Sequence, residues 1–174
     1  PIQIFILRVC MFYRFILFYY TIKCLKIKQV FYRVFYLFRK PKVCSIVVSA
    51  YHNFKWRGEG LSRQSLYCNS KVCFLNEPAL IKVKKDWNCP SHSKLWLYNL
   101  HYFDDLNSLD QINREKLQLL WINKWIEENP PCLGNGWEPY PLSLRLVNWV
   151  KWFSKKETVE KRYLNSIAQQ ASGL

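Results

Sequence analysis

The chain has 174 residues, the length of one domain or of part of a larger one, and half of its residues are apolar, which is ample for a hydrophobic core. Its net charge of +14 is distributed unevenly, because no acidic residue precedes Glu59. The basic residues before that point are Arg8, Arg14, Lys23, Lys26, Lys28, Arg33, Arg39, Lys40, Lys42, Lys55 and Arg57. Basicity is therefore a property of the N-terminal third and not of the whole protein.

A basic, aromatic-rich segment suits three kinds of partner, namely nucleic acid, an anionic membrane surface and an acidic polysaccharide. Nucleic-acid binding calls for a recognisable module such as aromatic strand motifs or a zinc finger, and the sequence contains neither. We therefore expect no nucleic-acid partner. For most of these charges taken singly, a solvated basic face on an amphipathic helix is a sufficient explanation.

The first predicted element is the apolar run 2–20, which Arg8 and Arg14 interrupt. A charge at the centre of a bilayer costs roughly 2.5–3.5 kcal/mol, so two arginines within the run argue against a membrane span. An interfacial helix, with the apolar side chains in the membrane and the arginines at the headgroups, stays open. A signal peptide requires a cleavage site with small residues, and no such site follows the run. The chain begins at Pro1 instead of Met.

Residues 1–43 are predicted to form two basic amphipathic helices. In the second helix apolar residues recur at helical spacing, and Pro41 ends it because proline cannot continue the hydrogen-bond ladder. Residues 44–93 are rich in Gly, Pro, Ser, Asn and Cys and form a predicted connecting region with short extended pieces. These pieces are the β-branched run within Cys44–Asn53 and the segments Val72–Leu75 and Leu80–Val83.

Seven cysteines occur at positions 10, 24, 44, 68, 73, 89 and 132, with no Cys-x-x-Cys pair. No histidine follows Cys68 and Cys73 at the spacing of a zinc finger. The three histidines, His52, His92 and His101, are far apart in the sequence and form no spaced pair. The sequence therefore predicts no metal site and no cofactor, and it indicates buried or incidental thiols.

Helical periodicity returns in residues 94–174. Ser108-Leu-Asp-Gln111 resembles a capping box and is predicted to open a helix that ends at Asn129-Pro130-Pro131. A second helix is predicted at Pro141–Phe153, with Leu142, Leu146, Trp149 and Phe153 towards a core and Arg145, Asn148 and Trp152 on a separate stripe. Ser154-Lys-Lys-Glu157 is another candidate capping box and is predicted to open a helix over Lys156–Ala171.

Two clusters of aromatic and polar residues are candidate sites. The first contains Trp96, Tyr98, Asn99, His101, Tyr102 and Asp104. One interpretation is a saccharide cleft, in which flat rings stack on sugars and Tyr or His transfers a proton. The other is a buried aromatic strand or turn whose histidine is a satisfied core group.

The second cluster is Trp137-Glu138-Pro139-Tyr140 followed by Arg145 and Asn148. A guanidinium donates two parallel hydrogen bonds to a carboxylate or sulfate, so a helix stripe with Arg145 suits an acidic ligand. The alternative is an internal Glu138–Arg145 ion pair that ties the loop to the helix. No phosphate loop, nucleophile elbow or Ser/Cys–His signature is present.

Several blocks of the sequence, taken in order, resemble the N-terminal domain of bacterial heparinase II/III-type polysaccharide lyases. The most specific are Leu95–Leu106 and Gly136–Phe153, and they are preceded by 21–34, Phe74-Leu-Asn-Glu77 and Asp86-Trp-Asn88. The resemblance implies a mainly α fold, with residues 94–174 as the start of an incomplete α/α toroid. It also implies β-elimination on uronic-acid polysaccharides and a periplasmic or cell-envelope location.

The resemblance further implies a catalytic Asn-His pair, a Tyr and a second His located after the segment that resembles Tyr163–Leu174. No Asn-His dipeptide occurs in this sequence. We therefore expect an N-terminal fragment that is inactive alone and contributes no catalytic residue. The predicted substrate-binding residues are Asn99, His101, Tyr102, Trp137, Glu138, Tyr140, Arg145 and Asn148. The alternative is a non-enzymatic protein that binds an acidic glycan or a membrane surface through residues 1–43.

Overall fold

The computed structural model describes residues 13–14, 16–38, 43, 55–58 and 60–174. The chain divides into two compact units, residues 1–40 and residues 41–174. The β-branched run within 44–53 and residues 39–42, including Pro41, lie outside the described residues.

The described part of the first unit is helical, as the sequence predicts. Residues 16–23 form one helical stretch, and helix α1 spans Ile27–Phe38. The backbone N–H of Lys26 donates to Oε1 of Gln29 at 2.9 Å just before α1 begins. Along α1 the rings of Phe31 and Phe35 stack with centroids 6.2 Å apart. Within the described residues, no helix combines the length and the apolar character that a membrane crossing requires.

The second unit begins with a small antiparallel hairpin of β1, Lys71–Phe74, and β2, Glu77–Leu80. Val72 pairs with Ala79 and Phe74 with Glu77. Leu75 and Asn76 have φ of 52° and 63°, which are the left-handed values of a tight two-residue hairpin turn. The first strand matches the prediction. The second was predicted at Leu80–Val83 and begins three residues earlier, because the chain reverses immediately at Leu75-Asn76.

A 3₁₀ helix over Lys84–Asn88 leads to helix α2, Lys94–Tyr102, and a second 3₁₀ helix, Asp104–Asn107, follows. The Ser93 side chain begins α2 by accepting a hydrogen bond from the Trp96 N–H at 3.2 Å. Phe103 ends α2 in the left-handed conformation with φ of 60°. The interpretation of the first aromatic cluster as a strand or turn is therefore wrong about the secondary structure, because this segment is a helix.

The remaining helices are α3, Gln111–Glu128; α4, Pro139–Phe153; and α5, Lys161–Ser172. Both predicted capping boxes are wrong. Asp110 precedes α3 and its side chain caps nothing, while Ser154 closes α4 by donating from its Oγ to the Lys151 carbonyl at 2.8 Å. Since Ser154 belongs to the end of α4, α5 begins five residues later than predicted. The end of α3 at Asn129 and the presence of proline in the first turn of α4 agree with the sequence.

Tryptophan dominates the core of the second unit. The largest side chains with almost no exposed surface are Trp87, Trp96, Trp125, Trp149 and Trp152. Hairpin residues such as Val72 share this core with α2, α3 and α4. Leu142, Leu146, Trp149 and Phe153 face the core as predicted, but Arg145, Asn148 and Trp152 are buried too. Helix α4 is therefore enclosed on both predicted stripes, and the mainly helical fold is as expected.

The carboxylate of Asp105 joins the segment before the hairpin to the helices. Its Oδ2 accepts from the backbone N–H groups of Ser65 and Leu66 at 2.7 and 3.0 Å. Nη2 of Arg114 donates to both carboxylate oxygens, at 2.9 and 2.7 Å, and Gln118 donates to Oδ1. Because Asp105 has no exposed surface, these donors replace the water that its charge loses.

Candidate functional site

His101 is held inside the protein by two tryptophans. Its Nδ1 accepts from Nε1 of Trp125 at 3.0 Å, and its Nε2 lies 3.1 Å from the Trp87 carbonyl oxygen. Because an indole N–H only donates and a carbonyl only accepts, the imidazole carries its proton on Nε2. Burial, reinforced by the charge of Arg145, lowers the pKa of His101 to about 3, so the ring is neutral at physiological pH.

Gly136 allows the loop before α4 to pass against this imidazole. A Cβ atom at position 136 would lie 2.6 Å from Nδ1 of His101. The Gly134-Asn135-Gly136 loop and His101 therefore belong to one arrangement, although 35 positions separate them in the sequence. The ring has no exposed surface, so His101 is a core histidine whose hydrogen bonds are made within the protein. This agrees with the second of the two interpretations of the first cluster. Contact between His101 and a saccharide stays a prediction.

Arg145 is also fully enclosed. Its Nε donates to Oε1 of Gln170 at 2.8 Å, and its Nη1 donates to the His101 carbonyl at 3.3 Å. The guanidinium carbon lies 3.8 Å from the centroid of the Trp125 ring, a cation–π arrangement. Nη2 is buried without a hydrogen-bond partner, and burial lowers the pKa of Arg145 well below its ordinary value.

The internal ion pair between Glu138 and Arg145 does not form. The Glu138 carboxylate instead binds Lys94, whose Nζ lies 3.0 Å from Oε2, and accepts the hydroxyl of Tyr98. The two residues are kept apart by their positions, because Glu138 is the half-buried residue before the first turn of α4, whereas Arg145 is fully buried in the core. Binding of a ligand carboxylate by Arg145 stays a prediction.

Three more of the predicted residues have internal partners. Nδ2 of Asn148 donates to the Tyr102 carbonyl at 2.9 Å and to Oδ1 of Asp104 at 2.7 Å, and its Oδ1 accepts from Asn107. Nε1 of Trp137 donates to the Asn129 carbonyl at 3.2 Å. Asn99 is half-buried and donates to the carbonyl of Leu95, one turn earlier in α2. Asn148 and Trp137 are buried almost completely.

The remaining predicted residues lie between α2 and the start of α4, where Tyr140 is exposed, Glu138 is half-buried and Tyr102 is buried. We call this group the tyrosine patch, and it consists of the buried Tyr102 together with Lys94, Tyr98, Glu138 and Tyr140. The Tyr140 side chain is 59% exposed, and its ring lies 5.7 Å from that of Tyr102 and 6.3 Å from that of Tyr98. Lys94, Tyr98 and Tyr102 are four residues apart and therefore share one face of α2.

The tyrosine patch is suited to hydrogen bonding and poorly suited to proton abstraction. Burial, followed by the nearby Tyr140 and Asp104, raises the pKa of Tyr102 to about 12. Burial and the bond to Glu138 raise the pKa of Tyr98, and hydrogen bonding to Glu138 raises the pKa of Lys94. Both hydroxyls and the ammonium group are thus protonated at neutral pH. A general base would need a pKa nearer to the working pH.

Metal binding finds no support in the described part of the chain, where no three His, Cys, Asp or Glu side chains gather to hold an ion. The ring of His92 stacks on Trp96 with centroids 3.9 Å apart. Both ring nitrogens of His101 are hydrogen-bonded to tryptophan residues. His52 lies outside the described residues.

Lys94 and Tyr98 belong to the patch but were absent from the predicted substrate-binding residues. Their spacing of four, together with Tyr102, is the signal that would have found them, once 94–102 is assigned as a helix. Comparison of the chain with protein-family models, with curated proteins and with solved structures gives no match. The geometry of the patch and the sequence resemblance are therefore the two grounds for assigning a function.

Proposed function

We propose that this chain is the N-terminal helical part of a polysaccharide lyase and binds an acidic, uronic-acid-containing glycan through the tyrosine patch. Helices α2 to α5 would then form the beginning of an α/α toroid. The observation that carries the proposal is the exposed ring of Tyr140, packed against Tyr98 and Tyr102 beside the Lys94–Glu138 pair.

The chemistry of the patch fits this kind of ligand. An amphipathic ring offers an apolar face to a sugar and a hydroxyl to its oxygens. The Lys94 side chain is 63% exposed, and its ammonium carries the positive charge that a carboxylate or sulfate requires. The Glu138 carboxylate is able to accept hydrogen bonds from sugar hydroxyls. The aromatic residues supply affinity, and the Lys94 ammonium supplies the attraction to an acidic sugar.

The proposal assigns binding and not bond cleavage to these residues. The protonated tyrosines and the neutral, enclosed His101 are poor bases at neutral pH, and the sequence contains no Asn-His dipeptide. We expect the chain to bind heparan sulfate, alginate or polygalacturonate without releasing unsaturated uronate. Release of unsaturated product, followed by its ultraviolet absorbance, would contradict the assignment of binding alone.

The direct test is calorimetric titration of the chain with these acidic polymers and with neutral dextran. Tyr140→Ala should weaken binding of the preferred acidic polymer by about fivefold or more, since a central aromatic anchor contributes above ~1 kcal/mol. Tyr67→Ala is the matched control, because Tyr67 is also an exposed tyrosine of the second unit but lies outside the patch. Equal affinity for dextran, or equal losses in the two variants, would refute the proposal.

A second candidate is attachment of the first unit to an anionic membrane surface. The supporting observation is the row of exposed apolar side chains on α1, where Phe31 is 64% exposed and Ile27 is 89% exposed, in a segment with no acidic residue. Sedimentation with phosphatidylserine vesicles should capture the chain at low salt and release it at high salt. Lack of capture at low salt would eliminate this candidate.

A further inference from the structure

Glu138 occupies the cation that the proposed function requires for an acidic ligand. Its Oε2 lies 3.0 Å from Nζ of Lys94, and the pKa of Lys94 is raised because this hydrogen bond stabilises the ammonium group. The positive charge of Lys94 is thus balanced by a carboxylate of the protein itself. The acidic group of a ligand would be attracted to Lys94 and repelled by Glu138 at the same time. The free chain therefore holds the tyrosine patch in a state that opposes an acidic ligand.

The contact between Lys94 and Glu138 is of the kind that opens easily. The two side chains are 63% and 37% exposed, and an ion pair in contact with water contributes little stability because solvent screens it. The pair of Arg114 and Asp105 is the opposite case, since its side chains are 12% and 0% exposed and the guanidinium donates to both carboxylate oxygens. The Glu138 side chain makes no capping hydrogen bond to α4, so its carboxylate can leave Lys94 without loosening that helix.

Tyr98 gives Glu138 a second partner inside the protein. Its hydroxyl donates to the same Oε2 atom that faces Lys94. Because the pKa of Tyr98 is raised by burial and by this bond, the hydroxyl stays a donor at neutral pH. Lys94 has a flexible four-carbon stem that can turn its ammonium group towards a ligand. The Glu138 carboxylate would then keep the Tyr98 hydroxyl and would have an oxygen available for a sugar hydroxyl.

We propose that Glu138 competes with the ligand for Lys94, so that an acidic glycan binds by taking the ammonium group from this carboxylate. The inference rests on the function proposed above and adds the regulation of its site, because Glu138 then lowers the affinity of the tyrosine patch for acidic ligands. A competitor tethered to the same chain has a high effective concentration. A single dilute anion is therefore excluded, whereas a polymer that presents many acidic groups beside the patch displaces Glu138.

The first experiment is calorimetric titration of the unaltered chain and of Glu138→Gln with heparan sulfate, alginate and polygalacturonate. Glutamine keeps the length of the side chain and still accepts the Tyr98 hydroxyl, but it carries no charge. Affinity should rise about two- to fivefold, which is the effect of one exposed ion pair, and the gain should disappear in high salt. Glu157→Gln is the charge-matched control, because Glu157 is exposed beyond the other end of α4, and it should leave the affinity unchanged.

A double-mutant cycle with Lys94→Met distinguishes competition from simple repulsion. If Glu138 withholds Lys94 from the ligand, the gain from Glu138→Gln depends on the lysine and should fall below about twofold in the Lys94→Met background. If Glu138 only repels the ligand, the gain is the same in both backgrounds. Lys84→Met is the control background, because it removes the charge of a lysine that is exposed on the first 3₁₀ helix, and the full gain should persist in it. Equal urea midpoints would show that the variants keep the fold.

The outcomes separate this inference from the proposed function. If the unaltered chain binds an acidic polymer and Glu138→Gln binds it no better, the competition is refuted and the function stands. If only Glu138→Gln binds, the competition is supported and the function of the unaltered chain fails. If neither protein binds, both fail. A gain shared by Glu157→Gln, or one that persists undiminished without Lys94, would also overturn the competition, because net charge or simple repulsion would explain it. Weaker binding by Glu138→Gln would mean that the carboxylate assists the ligand instead of opposing it.

Discussion

The interior around His101 and the tyrosine patch use the same kinds of side chain for different purposes. In the interior, the ring nitrogens of His101 and two of the three Arg145 nitrogens bind groups of the protein itself. In the patch, Tyr140 presents more than half of its surface to solvent. A mixture of aromatic and polar residues therefore does not distinguish a cleft from a core. The distinction comes from helical register, because one residue along a helix turns a side chain by about 100°.

The largest expected effect is on the interior. His101→Ala removes the acceptor of the Trp125 N–H and leaves a cavity among tryptophans, which should lower the free energy of unfolding by about 3 kcal/mol. His92→Ala is the control, because His92 is only partly buried, and we expect a loss of less than about 1 kcal/mol. Urea denaturation of the two variants measures both values. A stable His101→Ala variant that fails to bind glycan would show instead that His101 belongs to the binding site and not to the core.

The interior should also be sensitive to acid. Folding lowers the pKa of His101 from 6.5 to about 3, so below pH 6.5 the unfolded chain binds a proton that the folded chain refuses. The stability contributed by the neutral ring is fully present above pH 6.5 and is lost as the pH falls towards 3. Between pH 7 and 5 the expected loss is about 2 kcal/mol, given ~1.4 kcal/mol per pKa unit.

Two measurements check this dependence on pH. Urea denaturation at pH 7, 6 and 5 should show the loss in the unaltered chain, and His101→Gln should show a smaller slope because glutamine does not titrate. The imidazole resonances of His101 in NMR spectra should stay those of a neutral ring down to pH 4. An imidazole that becomes protonated near pH 6 would mean that the ring is open to water.

The loop before α4 offers a smaller, steric test. Gly136→Ala places a methyl group against Nδ1 of an imidazole that cannot move away, so we expect a loss of about 1–3 kcal/mol. Gly173→Ala is the matched control, since a Cβ atom there would lie 3.2 Å from its nearest neighbour, the Gln170 carbonyl oxygen, instead of 2.6 Å. Thermal unfolding of both variants decides the matter. Equal melting temperatures would show that the loop does not press on His101.

The fold was largely predictable where one physical signal dominated. The apolar stripe Leu142, Leu146, Trp149 and Phe153 correctly predicted the buried face of α4, and the prolines correctly indicated both ends of the loop between α3 and α4. The capping boxes failed for a local reason. Ser154 has the right residue type to begin a helix, but its hydroxyl is already used at the end of the preceding one.

The candidate site was less predictable, because charge on a helix suggests solvent. Arg145 and Asn148 were placed on a polar stripe, yet both are enclosed, since α2 and the second 3₁₀ helix cover that side of α4. No local sequence pattern predicts a buried arginine whose partners are a glutamine, a carbonyl and an indole. The partners come from three distant segments, and their assembly is a property of the tertiary structure.

The smallest expected effect separates the patch from the interior most cleanly. Lys94→Met keeps the length of the side chain and removes the charge, and Lys94 is largely exposed. The urea midpoint should therefore stay unchanged, while affinity for the acidic glycan should fall about two- to threefold, as expected for one exposed ion pair. The loss should vanish in high salt, where such pairs are screened. Titration at low and high salt measures this difference, with Lys84→Met as the control. A change in stability without a change in affinity would mean that Lys94 serves only to hold Glu138, and the patch would then be an extension of the core.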